Sequence, residues 1–293
     1  MTTLDPGRLE ALAAVVDEGS FEAAARRLHV TPSAVSQRIK ALEQRAGQVL
    51  VLRSRPCRPT PAGAALVRLA GQIRTLQAEA VRALTGAGAP ERVPVAVNAD
   101  SLSTWFPEAL VGLPEHVLVE LHREDQDHSA RMLRDGVVMA AVTADARAVQ
   151  GCRVRPLGAM RYVAVAAPDF HARWFADGLA GLREAPTLTF NRKDALQERF
   201  ARRVLGRTPA PPVHYVPSSS AFVELVRAGL GWGMVPEPAA AEPLAEGALV
   251  ALDDAGLDVP LYWQHWAIDA PVLVDLTARV TRAARAHLRP PAF

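Results

Sequence analysis

The chain has 293 residues, of which 49% are hydrophobic and 22% charged, and its formal net charge is +2. This length supports two or three hydrophobic cores, and the composition is that of an ordinary globular protein. No apolar run approaches the roughly 20 residues that cross a membrane, and the N-terminus MTTLDPGRLE lacks the pattern of a signal peptide, so we expect a cytoplasmic protein.

Charge is distributed unevenly along the chain. Residues 1–90 contain 12 Arg and Lys against seven Asp and Glu, a net charge of +5, whereas the remaining residues contain 21 against 24 and carry −3. The whole-chain charge therefore conceals a basic N-terminal module and a mildly acidic remainder.

The segment 20–46 predicts two short helices joined by a tight turn. Its first residue is a serine, a favourable N-cap, and apolar residues follow at helical spacing as far as Leu28. Thr31 and Pro32 start the second helix, because a hydroxyl N-cap precedes a proline whose missing N–H costs nothing at the first helical position. Gly47 ends it. This layout is typical of a helix-turn-helix whose second helix enters the DNA major groove.

The second helix should have two unlike faces, since Ala34, Val35, Ile39 and Leu42 form an apolar stripe. Glutamine can bind adenine through two hydrogen bonds, serine can bind a base or a phosphate, and arginine and lysine can bind guanine or the backbone. The alternative, from spacing alone, is a solvated polar face on an ordinary helix pair. The candidate DNA-binding residues of this region are Thr31, Ser33, Ser36, Gln37, Arg38 and Lys40.

The next stretch predicts a basic wing. Residues 49–52 favour a short strand, and an arginine-rich turn interrupted by prolines follows. Three arginines this close together would repel one another unless an anion lies alongside. The candidate DNA-binding residues of the wing are Arg53, Arg55 and Arg58.

A long linker helix follows. Thr60 and Pro61 form a third start signal, and the predicted helix lasts until Gly86. Apolar residues recur along it at spacings of three and four, as in a coiled-coil seam, so we expect it to pair with its twin in a homodimer. The alternative is a helix packed on its own domain. The candidate dimerisation residues are Leu66, Leu69, Ile73, Leu76 and Ala80.

Beyond the glycines and proline of residues 86–90, strand and helix patterns alternate. Such alternation favours α/β units with parallel sheets, and two groups of strands suggest two lobes with a cleft between them. The predicted strands are 93–99, 117–124, 137–144, 161–168, 187–191, 213–217 and 232–237; the predicted helices include 104–111, 128–135 and 271–288.

The motifs read so far resemble a known family. Residues 4–63 look like the DNA-binding domain of the LysR-type transcriptional regulators, especially in GSFEAAARRLHVTPSAVSQRIKALE and the closing TPAG. PCRPT (56–60), VNADSLSTWF (97–106), EDQDHS (124–129) and GLGWGMVPE (229–237) are similar to the ArgP/LysG/IciA branch of that family. The chain departs from the common family wing, which has a Leu-Phe pair where Leu50 and Val51 stand here.

The resemblance implies an N-terminal all-α winged helix-turn-helix that is followed by a long linker helix. It also implies a C-terminal α/β effector domain with two lobes, like that of a periplasmic binding protein. The expected domains are 1–60 for DNA binding, 61–86 for the linker and dimerisation helix, 87–91 for a hinge and 92–293 for effector binding. Lobe I comprises 92–165 and 268–293, and lobe II comprises 166–267. The implied partners are a pseudo-palindromic double-stranded DNA site, a second copy in a dimer or a dimer of dimers, and RNA polymerase as a further candidate.

Ligands in open α/β sheets bind beyond the carboxyl ends of strands, so the loops after the first two strands are candidate effector sites. Regulators of the branch that the chain resembles sense basic amino acids and control genes for their export or metabolism. The resemblance therefore implies that a basic amino acid bridges these loops, with its carboxylate toward Ser101 and Ser103 and its cationic end toward Asp125 or Asp127. An acidic loop that simply faces water is the alternative. The candidate effector-binding residues are Asp100, Ser101, Ser103, Thr104, Asp125, Asp127, Thr143, Asn191, Ser218 and Phe222.

Other functions find less support in the sequence. His122, Glu124, Asp127 and His128 lack the spacing of a metal site, and the glycines of 229–233 follow a helix and precede a strand, the reverse of a dinucleotide-binding loop. We therefore expect no cofactor, no metal and no enzymatic activity. Two alternatives stay open: an architectural or replication-inhibiting DNA-binding protein without a ligand switch, and an enzyme fused to a DNA-binding domain. The two cysteines, Cys57 and Cys152, are expected to be inert thiols.

Overall fold

The computed structural model describes residues 4–86, 88, 90–123 and 126–290, with residues 126–128 described by their backbone alone. The chain forms two compact units. The first comprises Met1–Val97, Gly112–Arg155 and Trp263–Ala278, and the second comprises Asn98–Val111, Pro156–Tyr262 and Arg279–Phe293. These units group residues differently from the predicted domains, whose boundaries stay predictions.

The N-terminal part of the first unit is a helix-turn-helix preceded by one helix and followed by a short hairpin. Side-chain oxygens of Asp5, Ser20, Thr31 and Thr60 accept hydrogen bonds from the first turns of its four helices, so local capping defines where each begins. The elements are α1 (Pro6–Glu18), α2 (Phe21–Arg27), α3 (Pro32–Ala46), β1 (Val51–Leu52), β2 (Arg58–Pro59) and α4 (Pro61–Thr85).

A small hydrophobic core holds these helices together. Val35, Ile39 and Leu42 of α3 are buried, which confirms the predicted apolar stripe. Leu50 and Val51, the pair at which the wing departs from the common family pattern, are also buried in this core. The wing thus packs on the helices through two aliphatic side chains.

The start of α4 lies directly against the strand that opens the wing. The Thr60 hydroxyl donates to the Val49 carbonyl oxygen at 2.8 Å, and the Leu50 amide donates to Glu43 Oε1 at 2.9 Å. Gly63 completes the contact, because a Cβ at this position would lie 1.9 Å from the Leu50 carbonyl oxygen. Only glycine allows this approach of the two backbones.

The rest of the first unit contains a parallel sheet. β3 (Glu91–Val97) pairs in parallel with β4 (Val117–Arg123) and with β5 (Ala140–Thr143). The helix α7 (Gln126–Asp135) connects β4 to β5 and buries Leu133. The parallel arrangement predicted for these strands is confirmed.

The second unit contains a mixed set of strands. β6 pairs antiparallel with β9 and β10, whereas β7 and β8 pair in parallel. β6 and β11 are longer than any predicted strand, and α12 runs from the first unit into the second. The bounds are α5 (Ala99–Ser103), α6 (Phe106–Leu110), β6 (Cys152–Ala166), α8 (Pro168–Trp174), a 3-10 turn (Leu179–Arg183), β7 (Thr187–Thr189), α9 (Leu196–Leu205), β8 (Val213–Tyr215), α10 (Ser219–Arg227), β9 (Gly233–Pro236), α11 (Glu237–Ala245), β10 (Val250–Ala251), β11 (Leu257–Trp266) and α12 (Pro271–His287).

Several predicted bounds agree closely with the structure. α3 ends at Ala46 with Gly47 in the left-handed conformation, and α4 ends at Thr85 with Gly86 in the same conformation. Sequence analysis did not identify β10 or β11, and it placed the beginning of β6 at residue 161 rather than at Cys152. Within the described residues, no helix is both long and apolar enough to span a bilayer.

Two glycine substitutions should test the contact between α4 and the wing. We expect Gly63→Ala to lower the free energy of unfolding by about 1–3 kcal/mol, because the added methyl group forces the Leu50 carbonyl away. The matched control is Gly7→Ala in the first turn of α1, whose nearest neighbour lies at 3.4 Å; it should be neutral or raise stability by up to about 1 kcal/mol. Urea unfolding measures both, and equal effects of the two changes would contradict the account.

Candidate functional site

The exposed face of α3 presents the polar side chains that sequence analysis selected. Ser33, Gln37 and Lys40 are exposed, and Ser36 and Arg38 are half-buried. These side chains can contact a nucleic acid that lies along the helix. An α-helix of this kind fits the major groove, where glutamine, arginine and lysine can bind base edges.

Thr31 has a structural role at the start of this helix. Its hydroxyl oxygen accepts a hydrogen bond from the Ala34 amide at 3.2 Å and lies 2.9 Å from the Ser33 hydroxyl. The residue is exposed, so the hydroxyl can also meet a phosphate. Its cap fixes the direction from which α3 presents its first turn.

The wing carries its arginines on the surface. Arg55 and Arg58 are exposed, whereas the Arg53 guanidinium lies 4.8 Å from the centre of the Phe21 ring. This cation–π contact holds Arg53 beside the first helix of the helix-turn-helix while leaving its charge in place. All three arginines of the predicted basic surface are therefore exposed, and Arg53 is in addition held against Phe21.

The hydroxyl groups of the candidate effector residues after β3 are either hydrogen-bonded to their own turn or buried. The Ser103 hydroxyl donates to the backbone carbonyls of Ala99 and Asp100 at 3.0 and 3.2 Å, and the Thr104 hydroxyl donates to the Asp100 carbonyl at 2.6 Å. Ser101 is fully buried, and its Oγ has no hydrogen-bond partner among the described residues. These hydroxyls are thus engaged with their own turn or closed off from solvent.

Asp100 is the centre of the best-defined polar cluster in the second unit. Its Oδ2 accepts a hydrogen bond from the Tyr162 hydroxyl at 2.7 Å, and its Oδ1 accepts one from the Ser219 hydroxyl at 2.8 Å. The carboxylate therefore joins α5, β6 and the first residue of α10. Asp100 is partly exposed as a residue, although its carboxylate is largely withdrawn from water.

The electrostatic surroundings of Asp100 are unusual for a carboxylate. Removal from water raises its pKa, the hydrogen bonds from Tyr162 and Ser219 oppose this, and the nearby charge of Asp194 raises the pKa further. Among the described residues, no cationic side chain forms an ion pair with it. The pKa of Tyr162 is raised as well, by burial first and then by the charge of Asp100.

The loop after β7 holds Asp194 in a defined position. Asn191 Oδ1 accepts hydrogen bonds from the amides of Lys193 and Asp194 at 2.8 and 3.2 Å. The Asp194 carboxylate in turn accepts from the amides of Phe190 and Leu196, both at 3.0 Å. Asn191, a candidate effector residue, therefore shapes the loop that carries the second carboxylate.

The remaining candidates have different surroundings. Ser218 accepts a hydrogen bond from the Ala221 amide at the start of α10, and Phe222 is buried in the second unit's core, with its ring over Gly233. Thr143 is buried in the first unit, and its hydroxyl accepts from the Asp145 amide at 3.1 Å. Asp125 lies outside the described residues, and only the backbone of Asp127 is described, in α7.

Sequence analysis did not select Tyr162 or Asp194 for the site. Tyr162 lies within a predicted strand, where a tyrosine is an ordinary core residue, and nothing local signals its partner 62 residues earlier. Asp194 stands in a loop between predicted elements. The run Asn191–Asp194, rich in polar turn residues, was the available signal for an ordered loop.

The candidate dimerisation residues of α4 fall into two groups. Leu66, Leu69 and Ile73 are half-buried against the helices of their own N-terminal core. Leu76 and Ala80 are exposed, and further along the same helix Leu84 is 86% exposed. The N-terminal half of α4 therefore packs on its own domain, and the pairing of this helix with a second copy stays a prediction.

Comparison with protein families gives two matches that together span most of the chain. Residues 6–64 match the bacterial regulatory helix-turn-helix protein of the lysR family. Residues 86–268 match the LysR substrate-binding domain. The boundary between the two matches falls within α4 and the residues that follow it.

Similar proteins extend over nearly the full length. The HTH-type transcriptional regulator LysG of Mycobacterium tuberculosis is 52% identical over 285 residues, covering 96% of this chain and 94% of the relative. The lysine export transcriptional regulatory protein LysG of Corynebacterium glutamicum is 43% identical over 290 residues, covering 98% and 100%. The structure of full-length LysG from C. glutamicum with bound effector Arg is 42% identical, covers 98% of this chain and 100% of that chain, and has a TM-score of 0.84. The chain belongs to the LysR family of bacterial transcriptional regulators.

Proposed function

We propose that this LysR-type transcriptional regulator senses a basic amino acid, either lysine, arginine or histidine, and controls genes for amino-acid export or metabolism. The observation that carries the proposal is the Asp100 carboxylate, which two hydroxyls hold beyond the end of a parallel strand and which no described cation neutralises. The likeness to an arginine-bound LysG supports it. The protein binds its effector reversibly and does not transform it.

DNA recognition is assigned to α3 and the wing. Gln37 is exposed and lies in the first half of the helix, where it can read a base edge. Arg55 is exposed on the wing, where its guanidinium can bind a phosphate of the DNA backbone. A dimer places two such helices about 34–36 Å apart, so the site is a pseudo-palindrome.

The effector's ammonium group is assigned to Asp100. A half-buried carboxylate beside Asp194 lacks the opposite charge that would stabilise its ionised form, and a cationic ligand group supplies it. Asp100 Oδ1 is bonded to Ser219 at the first turn of α10, so the ligand carboxylate lies near the hydroxyls of Ser218 and Ser220. This placement replaces Ser101 and Ser103, whose hydroxyls are closed off or engaged. The expected contact of a side-chain cation with Asp125 or Asp127 stays a prediction, since the side chains of both lie outside the described residues.

Two other functions are the alternatives to a sensor. An architectural DNA-binding protein without a ligand switch would bind DNA with an affinity set by salt and indifferent to amino acids. An enzyme fused to a DNA-binding domain would turn over the ligand. Reversible, saturable binding without turnover distinguishes the proposed sensor from both.

A homodimer is proposed through the C-terminal half of α4. Leu76, Val81 and Leu84 are 45%, 50% and 86% exposed, a run of apolar side chains that a solitary chain would leave in water. A groove of about 170 Å³ between α1 and α4, lined in part by Ile73, lies beside this run. A second copy of α4 is the occupant whose pattern matches, since a coiled-coil seam is self-complementary.

The assigned DNA contacts should differ in kind. Gln37→Ala should weaken binding to a duplex selected from a random library by about 1–3 kcal/mol and change binding to random DNA little. Arg55→Ala should weaken both and reduce the salt dependence of binding, because it removes a phosphate contact. Fluorescence anisotropy across a salt series measures each, and equal losses on both duplexes for Gln37→Ala would remove it from the base-reading residues.

Asp100→Asn should reduce affinity for L-arginine about 10- to 150-fold, the value of a charge-assisted hydrogen bond of about 1.5–3 kcal/mol. Because the cation requires the ionised carboxylate and burial raises the Asp100 pKa, wild-type affinity should fall as the pH is lowered through that pKa. The variant should lose this pH response. Calorimetry measures both, with Asp177→Asn, an exposed carboxylate of the same unit, as the control. Similar affinities of the two variants would refute the ammonium assignment.

Leu76→Glu combined with Leu84→Glu should convert the dimer to a monomer and reduce DNA affinity at least tenfold, because a monomer loses the second half-site. Ala65→Glu adds the same charge at an exposed position in the N-terminal half of the same helix, outside the seam and the groove, and it should leave the dimer intact. Sedimentation equilibrium reports the oligomeric state. A double variant that sediments like the wild type would argue against this seam.

A further inference from the structure

A second carboxylate of the second unit lies in a loop that starts beside the one leading to the Asp100 cluster. β7 and β8 pair in parallel with their last residues opposite each other, and the Val216 amide donates to the Thr189 carbonyl oxygen at 2.9 Å. Because paired strands are about 4.8 Å apart, the loops that follow them begin side by side. The loop after β7 contains Asp194, and the loop after β8 leads to Ser219, whose hydroxyl donates to Asp100.

The Asp194 carboxylate is fixed in direction and can still accept hydrogen bonds. Its Oδ2 accepts from the Phe190 amide and its Oδ1 from the Leu196 amide, both at 3.0 Å. Each carboxylate oxygen can accept one further hydrogen bond, and Asp194 is partly exposed. Arg192, two residues earlier, holds its guanidinium 5.0 Å from the centre of the Tyr215 ring. In the part of the chain that the structure describes, no cation forms an ion pair with Asp194.

Asp100 and Asp194 are close enough for their like charges to interact. Removal from water raises the pKa of Asp100 first, and the negative charge of Asp194 raises it further. Two neighbouring carboxylates repel one another unless positive charge lies beside them. A ligand with two cationic groups would neutralise both carboxylates, whereas a ligand with one would leave the second carboxylate uncompensated.

Gln197 is a buried amide three residues after Asp194. It is the second residue of α9 and only 5% exposed, and neither its Oε1 nor its Nε2 has a hydrogen-bond partner among the described residues. Helix side chains lean toward the N-terminus of their helix, so this amide points back toward the loop that carries Asp194. Ser101, the residue after Asp100, also has a buried side-chain oxygen without a described partner. Such groups are uncommon in native proteins, and a polar ligand at these loops accounts for them.

We propose that Asp194 is the specificity-determining residue of the effector site: its carboxylate binds the side-chain cation of the ligand, while Asp100 binds the ammonium group. The inference rests on the proposed function and adds the residue that discriminates against neutral amino acids. Lysine and arginine carry two positive charges, which match two carboxylates held near one another. The assignment is compatible with the predicted contact to Asp125 or Asp127, because a guanidinium has five N–H donors and can bind more than one carboxylate.

A comparison of L-arginine with L-citrulline tests the assignment, because citrulline has the same length but carries a neutral urea in place of the guanidinium. Wild-type protein should bind L-arginine about 5- to 30-fold more tightly, the advantage of a charge-assisted hydrogen bond over a neutral one. Asp194→Asn should reduce this ratio to about twofold or less by weakening the binding of L-arginine alone. Asp100→Asn should weaken both ligands by a similar factor and keep the ratio, since both carry the same ammonium group. Calorimetric titration of the full-length protein measures each affinity.

Two control variants separate the charge of Asp194 from the order of its loop. Asn191→Ala removes the acceptor of the Lys193 and Asp194 amides, so it should weaken both ligands and keep the ratio. Glu198→Gln removes an exposed negative charge from the first turn of α9, and it should change neither affinity by more than about twofold, because exposed charges are screened.

A wild-type ratio that persists in Asp194→Asn, with L-arginine still bound, would overturn this inference and leave the proposed function intact. Equal affinities of the wild type for the two ligands would also overturn it. Absence of L-arginine binding to the wild type would overturn both the inference and the proposed function. Asp194→Ser keeps a hydrogen-bond acceptor in the same turn and should lose the ratio as well, so the inference stays testable if Asp194→Asn does not fold.

Discussion

The close approach of the linker helix to its neighbours is the constraint on which the first unit depends. Gly63 sets α4 against the carbonyl of Leu50, the residue before β1, and Gly71 sets the same helix against the Trp266 ring. A methyl group at either position would overlap a backbone oxygen or a buried aromatic ring. The helix that joins the DNA-binding region to the effector-binding region therefore lies close to its neighbours at both places because neither position carries a side chain.

In the second unit, the Asp100 carboxylate joins several elements, and no cation within the described part of the chain forms an ion pair with it. Asp100 ties α5 to β6 and α10 through Tyr162 and Ser219, yet burial and Asp194 oppose its charge. A protein that only needed to hold these elements together would do so at lower electrostatic cost with a neutral side chain. The proposed function accounts for this charge, since a cationic ligand would bring the opposite charge to the end of this strand.

Local signals predicted the DNA-binding half of the fold well. The bounds of α3 and α4 followed from Thr31, Thr60, Gly47 and Gly86, because caps act within one turn of the helix and are legible in the sequence. The strands of the effector-binding half were predicted less completely. β11 contains Pro260, a residue that argues against a strand in a sequence pattern. Its pairing partners are set by tertiary contacts rather than by local pattern.

In the candidate site too, local pattern identified single residues but not the contacts between residues distant in sequence. Asp100 was identifiable because it follows a strand, but its hydrogen bonds to Tyr162 and Ser219 join residues 62 and 119 positions apart. The contact between Arg68 and Gln150 spans 82 residues. No local pattern encodes such pairs. Ser101 and Ser103 were attractive as carboxylate ligands by residue type alone, and only the structure reveals that one is sealed and the other bonded to its own turn.

The central claim is that this regulator senses a basic amino acid, and calorimetric titration of the purified full-length protein with L-lysine, L-arginine, L-histidine and L-leucine tests it most directly. The account predicts saturable binding of at least one of the three basic amino acids and none of leucine, with no change in the ligand after incubation. Absence of binding by all three, or equal binding of leucine, would contradict it.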